Sequence, residues 1–311
     1  MMAPTAPRTS WGNLRRLVVK LGSTTVTSSS FEDLVGEIAT LSLNGVDVVL
    51  VTSGAVAAGM EALGIRERPS DTARAQALAA AGQAELMGRY ARALGERGLR
   101  CAQLLLTHED LSHRRHLLNI RHTLESAFDL KLVPVVNEND TVATEELRFG
   151  DNDRLAAAIG SVIDADLVVL LSDVDALYDA DPRAQPGAHR IEEVSIIDDG
   201  VRSAAGVSGT GLGTGGMRSK IAAAELSTGA GVPLIVASGS EPKVLTRLMK
   251  LYSEEKDWGK LIDVVLKLGE GVEDVGQKIK YIQTAAGVAI RQLKDLDAAS
   301  LYLEQVLELD P

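Results

Sequence analysis

VPVVNENDTVATEELRFGDNDRL, residues Val133 to Leu155, passes from an apolar, β-branched run into two polar clusters. The run from Leu132 to Val136 reads as a buried strand, expected to end where Asn137-Glu138-Asn139-Asp140 begins. A second cluster, Gly150-Asp151-Asn152-Asp153, precedes a helical apolar pattern from Leu155 to Ile163. In open α/β sheets ligands lie beyond the carboxyl ends of the strands, so amides and carboxylates gathered there point to a pocket for a small polar molecule. Two Asx-rich turns capping a helix would use the same residue types, so the stretch alone leaves both readings open.

Outward from this stretch, strands and helices alternate. Arg16 to Leu21 reads as a strand entering Gly22-Ser23-Thr24-Thr25, and Val46 to Val51 as one entering Thr52-Ser53-Gly54-Ala55. Ala102 to Leu106, Leu167 to Leu171 and Val232 to Ala237 read as further strands, the second followed by Ser172-Asp173. Strands separated by helices predict an α/β fold, a mostly parallel sheet sandwiched by helices. Ser30-Phe-Glu-Asp33 is expected to form a capping box, and Thr107-His-Glu-Asp110 to start another helix. His108, His113, His116 and His122 follow without the HExxH spacing of a zinc helix and read as a solvated face, so no metal site is assigned.

Two glycine-bearing turns carry a lysine. Lys20 precedes Gly22-Ser23, where an ammonium and backbone N–H groups converge, an arrangement suited to phosphate. Gly209 to Gly216 leads into a helical stretch containing Lys220. This loop holds a literal GxGxxG at Gly211, Gly213 and Gly216, but a dinucleotide fingerprint belongs after the first strand of a βαβ unit. Met217-Arg218 also stands where a P-loop places Lys followed by Ser or Thr. Both common nucleotide signatures therefore fail, and a glycine loop with a lysine at a helix start remains.

The chain has 311 residues, a formal net charge of -11 and 3% aromatic residues, which disfavours nucleic acid as a partner. Cys101 is the one cysteine, no apolar run is long enough to span a bilayer, and the first residues lack a signal-peptide core, so no membrane partner and a cytoplasmic location are expected. Residues 1–14 read as a flexible arm and 15–241 as the α/β domain. Residues 242–311 read as helical hairpins, in which Lys256-Asp257-Trp258 is echoed by Lys294-Asp295-Leu296. This small all-α tail resembles tetratricopeptide repeats. Its helices are expected to pack through Leu261, Val265 and Leu268 on one side and Tyr302, Leu303 and Val306 on the other, and to supply no catalytic group.

In order, VVKLGS, VTSGAVAAGMEALG, NENDTVA, FGDNDRLAA, LLSDVDALYDADPR and GTGGMRSK resemble the glutamate 5-kinase branch of the amino acid kinase family, over roughly Leu17 to Leu245. The resemblance implies an amino acid kinase-like fold and phosphoryl transfer from MgATP to the γ-carboxylate of L-glutamate, the first step of proline synthesis. It implies that Ser53, Asp140 and Asn152 hold glutamate, and that Ser172, Asp173 and Thr214, Gly215, Gly216, Met217, Arg218, Ser219 and Lys220 hold ATP together with Lys20 and Gly22. Lys20 and Lys220 suit transition-state stabilisation, with Asp173 expected to orient both ammonium groups, and Asp151 and Asp153 to grip the substrate amine or shape the site. Asp153 is counted with the lysines in the catalytic group. A homo-oligomer and handoff of the labile acylphosphate to glutamate-5-semialdehyde dehydrogenase are also implied. The sequence departs from the family at Ala176, where glycine is usual, at Arg218-Ser219, and in lacking a Gly-Thr-Leu-Phe strand and a C-terminal PUA domain. The alternative is a non-catalytic kinase-like domain on a helical interaction scaffold.

Overall fold

In chain order the first unit contains β1 (Arg16–Leu21), α1 (Ser23–Val26), α2 (Phe31–Leu43), β2 (Asp47–Val51), α3 (Ala55–Ala62), α4 (Thr72–Gly95), β3 (Arg100–Leu106), α5 (His108–Ser112), α6 (Arg114–Asp129) and β4 (Leu132–Glu138). There follow α7 (Asn152–Val162), β5 (Leu167–Ser172), the short β6 (Leu177–Tyr178) and β7 (Arg190–Ile191), α8 (Asp199–Ala204), α9 (Met217–Gly229), β8 (Leu234–Ser238) and α10 (Val244–Glu254), whose residues after Met249 belong to the second unit. This computed structural model describes residues 14–143, 152–180, 185, 187–204, 216–254, 262, 266, 275–290 and 295–309. The chain divides into two compact units, Met1–Met249 and Lys250–Pro311.

β1 is buried beyond its first residue because both its edges are paired. β2 runs parallel to it on one side, with Lys20 opposite Val51, and β5 on the other, with Leu21 opposite Leu171. The sheet order is β3-β4-β2-β1-β5-β8, with every pairing parallel. Parallel strands covered on both faces read as continuous apolar runs, as RLVVKL, DVVLV and LVVLLS do. Val18, Val49, Val51, Val136 and Leu170 pack with Leu124 and Phe128 of α6 and Leu155 and Ile159 of α7. The alternate residues Leu17, Val19, Val48 and Leu50 are equally buried and point to the opposite face. The layered α/β fold read from the sequence is thus the one observed. Among the described residues, no helix is long and apolar enough to cross a membrane.

Three local expectations need correction. β4 does not stop at Val136: Asn137 and Glu138 stay in the ladder opposite Leu105 and Leu106, both buried, so the polar cluster begins inside the sheet. α7 starts at Asn152 rather than near Leu155, which places Asn152 and Asp153 in its first turn. Ser30 does precede α2, but it makes no side-chain cap and its backbone is αR (φ -79, ψ -7), whereas a capping serine needs extended backbone. Its hydroxyl donates instead to Gly239 O at 3.2 Å and pairs with Ser28 Oγ at 2.7 Å. Thr107 completes its capping box with Asp110.

In the second unit, α11 (Val275–Val288) and α12 (Leu296–Leu309) are the described helices. Ala285, Ala289 and Ala299 are buried with Ile262, and Leu266 and Tyr302 pack against them. Tyr302 and Val306 are partly buried as expected, but Leu303 is 42% exposed. At 100° per residue Leu303 falls at the edge of the face that Ala299, Tyr302 and Val306 share, on the side away from Tyr302, which leaves it open to solvent. The residues 256–258, Leu261, Val265 and Leu268, and the arm up to residue 13, lie outside the described residues.

Candidate active site

The chain leaves β1 for β2 on one side and later returns through α7 to β5 on the other, so β1 marks the topological switch where a crevice opens at the strand ends. Lys20 is the penultimate residue of β1 and is 5% exposed. Gly22 turns the chain into α1, its N–H donating to Leu171 O at 3.2 Å. Gly54, at φ 100, makes the corresponding turn from β2 into α3, a left-handed conformation that suits glycine. A Cβ on it would lie 3.4 Å from Ser23 Cβ, so the two turns stand side by side.

Asp153 is fully buried between two ammonium groups. Lys20 Nζ lies 2.6 Å from its Oδ1, and Lys220 Nζ donates to its Oδ2 at 3.0 Å. Ser219 Oγ donates to the same Oδ2 at 3.3 Å. Burial acts to raise this carboxyl, but the charges of Lys20 and Lys220 outweigh it and hold the group below the ordinary carboxylate range. The carboxylate set between the two lysines is that of Asp153. Asp173 is exposed and accepts from Ser172 Oγ at 3.0 Å. Lys20 and Lys220 thus bring two buried ammonium groups together at the strand ends, an arrangement suited to a polyphosphate.

Asn152, one residue before this carboxylate, organises a second, neutral cluster. Its Nδ2 donates to Asn137 Oδ1 at 2.6 Å, to Thr52 O, and at 3.3 Å to Ser53 Oγ. Asn137 Oδ1 also accepts from the Glu138 N–H at 2.9 Å. α7 thus carries both halves of the site on adjacent residues. Asp140 is half-buried in the turn after β4. Ser172 is 8% exposed at the end of β5.

Gly216 stands at the N-terminus of α9 in extended conformation, and Lys220 is buried in the first turn. Met217, expected at ATP, packs its side chain in a small apolar cluster with Leu177, Ile221, Ile191 and Val201, which fastens the start of α9 to the β6–β7 hairpin. Arg218 is exposed. Asp151, Thr214 and Gly215 lie outside the described residues. Sequence reasoning missed Asn137 and Thr52 as supports of Asn152. Asn137 was visible as the first polar residue after an apolar run, whereas Thr52 acts through its backbone carbonyl and leaves no sequence signal.

Residues 15–238 match the Amino acid kinase family. A glutamate 5-kinase of Meiothermus ruber is 43% identical over 312 residues, covering 95% of this chain and 79% of that protein, so the similarity runs into the helical tail. Glutamate 5-kinase of Clostridium acetobutylicum is 41% identical, covering 78% of this chain and 93% of its own. That of Carboxydothermus hydrogenoformans is 47% identical, covering 72% and 63%. Among solved structures, an isopentenyl phosphate kinase superposes with TM-score 0.53 at 17% identity, over 77% of this chain and 97% of its own. Carbamate kinase from Giardia lamblia gives 0.54 at 12%, over 76% and 96%. These two likenesses concern the fold.

Proposed function

The chain belongs to the amino acid kinase family, among the glutamate 5-kinases, and from that premise we propose that it transfers the γ-phosphoryl group of ATP to the γ-carboxylate of L-glutamate. The observation that carries the reading is the buried Lys20–Asp153–Lys220 cluster at the switch point of the sheet. An oxygen of the substrate carboxylate attacks the γ-phosphorus, the new O–P bond forms, and the bond from phosphorus to the β,γ-bridging oxygen breaks to release ADP. The nucleophile is ionised at neutral pH, so no general base is needed. What the protein supplies is positioning and positive charge.

Lys20 and Lys220 neutralise charge on the transferring group and the leaving oxygen, and Asp153 holds the two ammonium groups in register. Ser53, Asp140 and Asn152, with Asp151, bind glutamate. Gly22, Ser172, Asp173 and the glycine loop from Thr214 to Lys220 bind ATP, with Met217 acting by anchoring α9. Mg2+ enters with the nucleotide as MgATP. The product acylphosphate is hydrolytically labile, which favours direct handoff to the reductase of the next step, glutamate-5-semialdehyde dehydrogenase, from a homo-oligomer in the cytoplasm.

The test is glutamate-dependent ADP release by the purified chain, with the acylphosphate trapped as its hydroxamate. Lys220→Ala should lower kcat by roughly two to three orders of magnitude with the fold intact, as removal of one transition-state donor does. Near-normal turnover in that variant would remove α9 from the mechanism.

A further inference from the structure

Tyr90 of α4 is among the largest fully buried side chains of the first unit. Its ring meets Phe31 edge-on, centroids 5.1 Å apart, a contact that phenylalanine would make equally well. The hydroxyl is the part that packing does not explain. It donates to Thr52 Oγ1 at 2.9 Å, and burial pushes the phenol up, so it keeps its proton and remains a donor.

Thr52 is itself fully buried and forms the junction between β2 and the turn into α3. Its N–H donates to Val136 O at 2.9 Å, its Oγ1 reaches Ser53 O at 3.4 Å, and its carbonyl accepts from Asn152 Nδ2. Thr52 is thus held through its N–H by β4, through its carbonyl by Asn152 of α7, and through its hydroxyl by Tyr90 from the helical layer. The Tyr90 hydroxyl reaches the site through Thr52, on the side of Ser53 and Asn152.

We propose that Tyr90 is a positioning residue for the amino-acid substrate: through the Thr52 hydroxyl it fixes the peptide from which Ser53 Oγ and the Asn152 amide are presented. The inference rests on the reading of this half of the site as the glutamate pocket. Tyr90→Phe keeps the ring and removes the link, and Thr52→Val removes the same link from the other end with little change of shape.

Each variant should raise the glutamate KM by about three- to tenfold, the worth of one buried hydrogen bond. The ATP KM should stay within about twofold. The double variant should be no worse than Thr52→Val alone, since both changes cut one connection. A glutamate KM unchanged in both variants, equal rises in both KM values, or multiplying effects in the double variant would each overturn the inference. So would a lowered melting temperature with wild-type kinetics, which would make the hydroxyl purely structural. If Tyr90→Phe fails to fold, Thr52→Val decides alone. Wild-type protein without glutamate-dependent turnover would sink the kinase reading and this inference with it, whereas an active wild type with unaffected variants sinks only the inference.

Discussion

Asp153 and Asn152 are neighbours in sequence with opposite duties, one ionic and one neutral, and substitutions should separate them. Asn152→Ala removes donors to Thr52, Ser53 and Asn137, so the glutamate KM should rise at least tenfold while the ATP KM moves little, as steady-state kinetics with each substrate varied will show. Asp153 gives a pH signature. Its carboxyl lies below the ordinary value of 3.8 in the folded chain, so the stability it contributes is fully present above about pH 4 to 5 and is lost as pH falls through the depressed value. Urea midpoints measured from pH 6 down to pH 3 should therefore fall more steeply for the wild type than for Asp153→Asn. Lys20 and Lys220 were legible in the sequence because each stands beside glycines at a strand or helix end. Their shared partner was not, since Lys220 meets Asp153 across 67 residues and no local spacing separates Asp153 from Asp173 as that partner.

α3 and α4 approach each other backbone to backbone. A Cβ on Gly82 would come within 1.8 Å of Ala55 O, and one on Gly59 within 1.9 Å of Leu78 O. Because Ser53 and Gly54 lead directly into α3, the closeness of these helices sets where the Ser53 hydroxyl stands. Gly82→Ala should push α3 outward, lower stability by roughly 1 to 3 kcal/mol as overpacking does, and raise the glutamate KM more than the ATP KM. Thermal melts and kinetics on the same preparation check both. The helix itself is readable from the alanine-rich run between Thr72 and Arg97. Which helix approached was not readable, because a glycine reports freedom and not its neighbour. The capping signals show the same limit: Ser30-Phe-Glu-Asp33 and Thr107-His-Glu-Asp110 share a pattern, yet only Thr107 has the extended backbone that lets a side chain turn back to its helix.

The described residues proposed to touch glutamate or ATP all fall within the first compact unit. A chain truncated after Glu254, at the end of α10, should keep both KM values per folded molecule. Loss of ATP binding by such a truncated but folded protein would assign the second unit a part in the site. The sheet was legible as parallel strands between helices, but its order was not, since the sequence does not say that the first strand lies in the middle. That placement also sets a schedule for the newborn protein. β1 leaves the ribosome first and finds β2 soon after, but its other edge waits for β5, with Arg16 and Asp166 separated by 150 positions. At ordinary synthesis rates the open edge stays uncovered for roughly ten to thirty seconds. An apolar strand with free backbone groups is adhesive for that interval, and nascent chains halted before Leu167 should bind general chaperones that chains released past Ser238 no longer recruit.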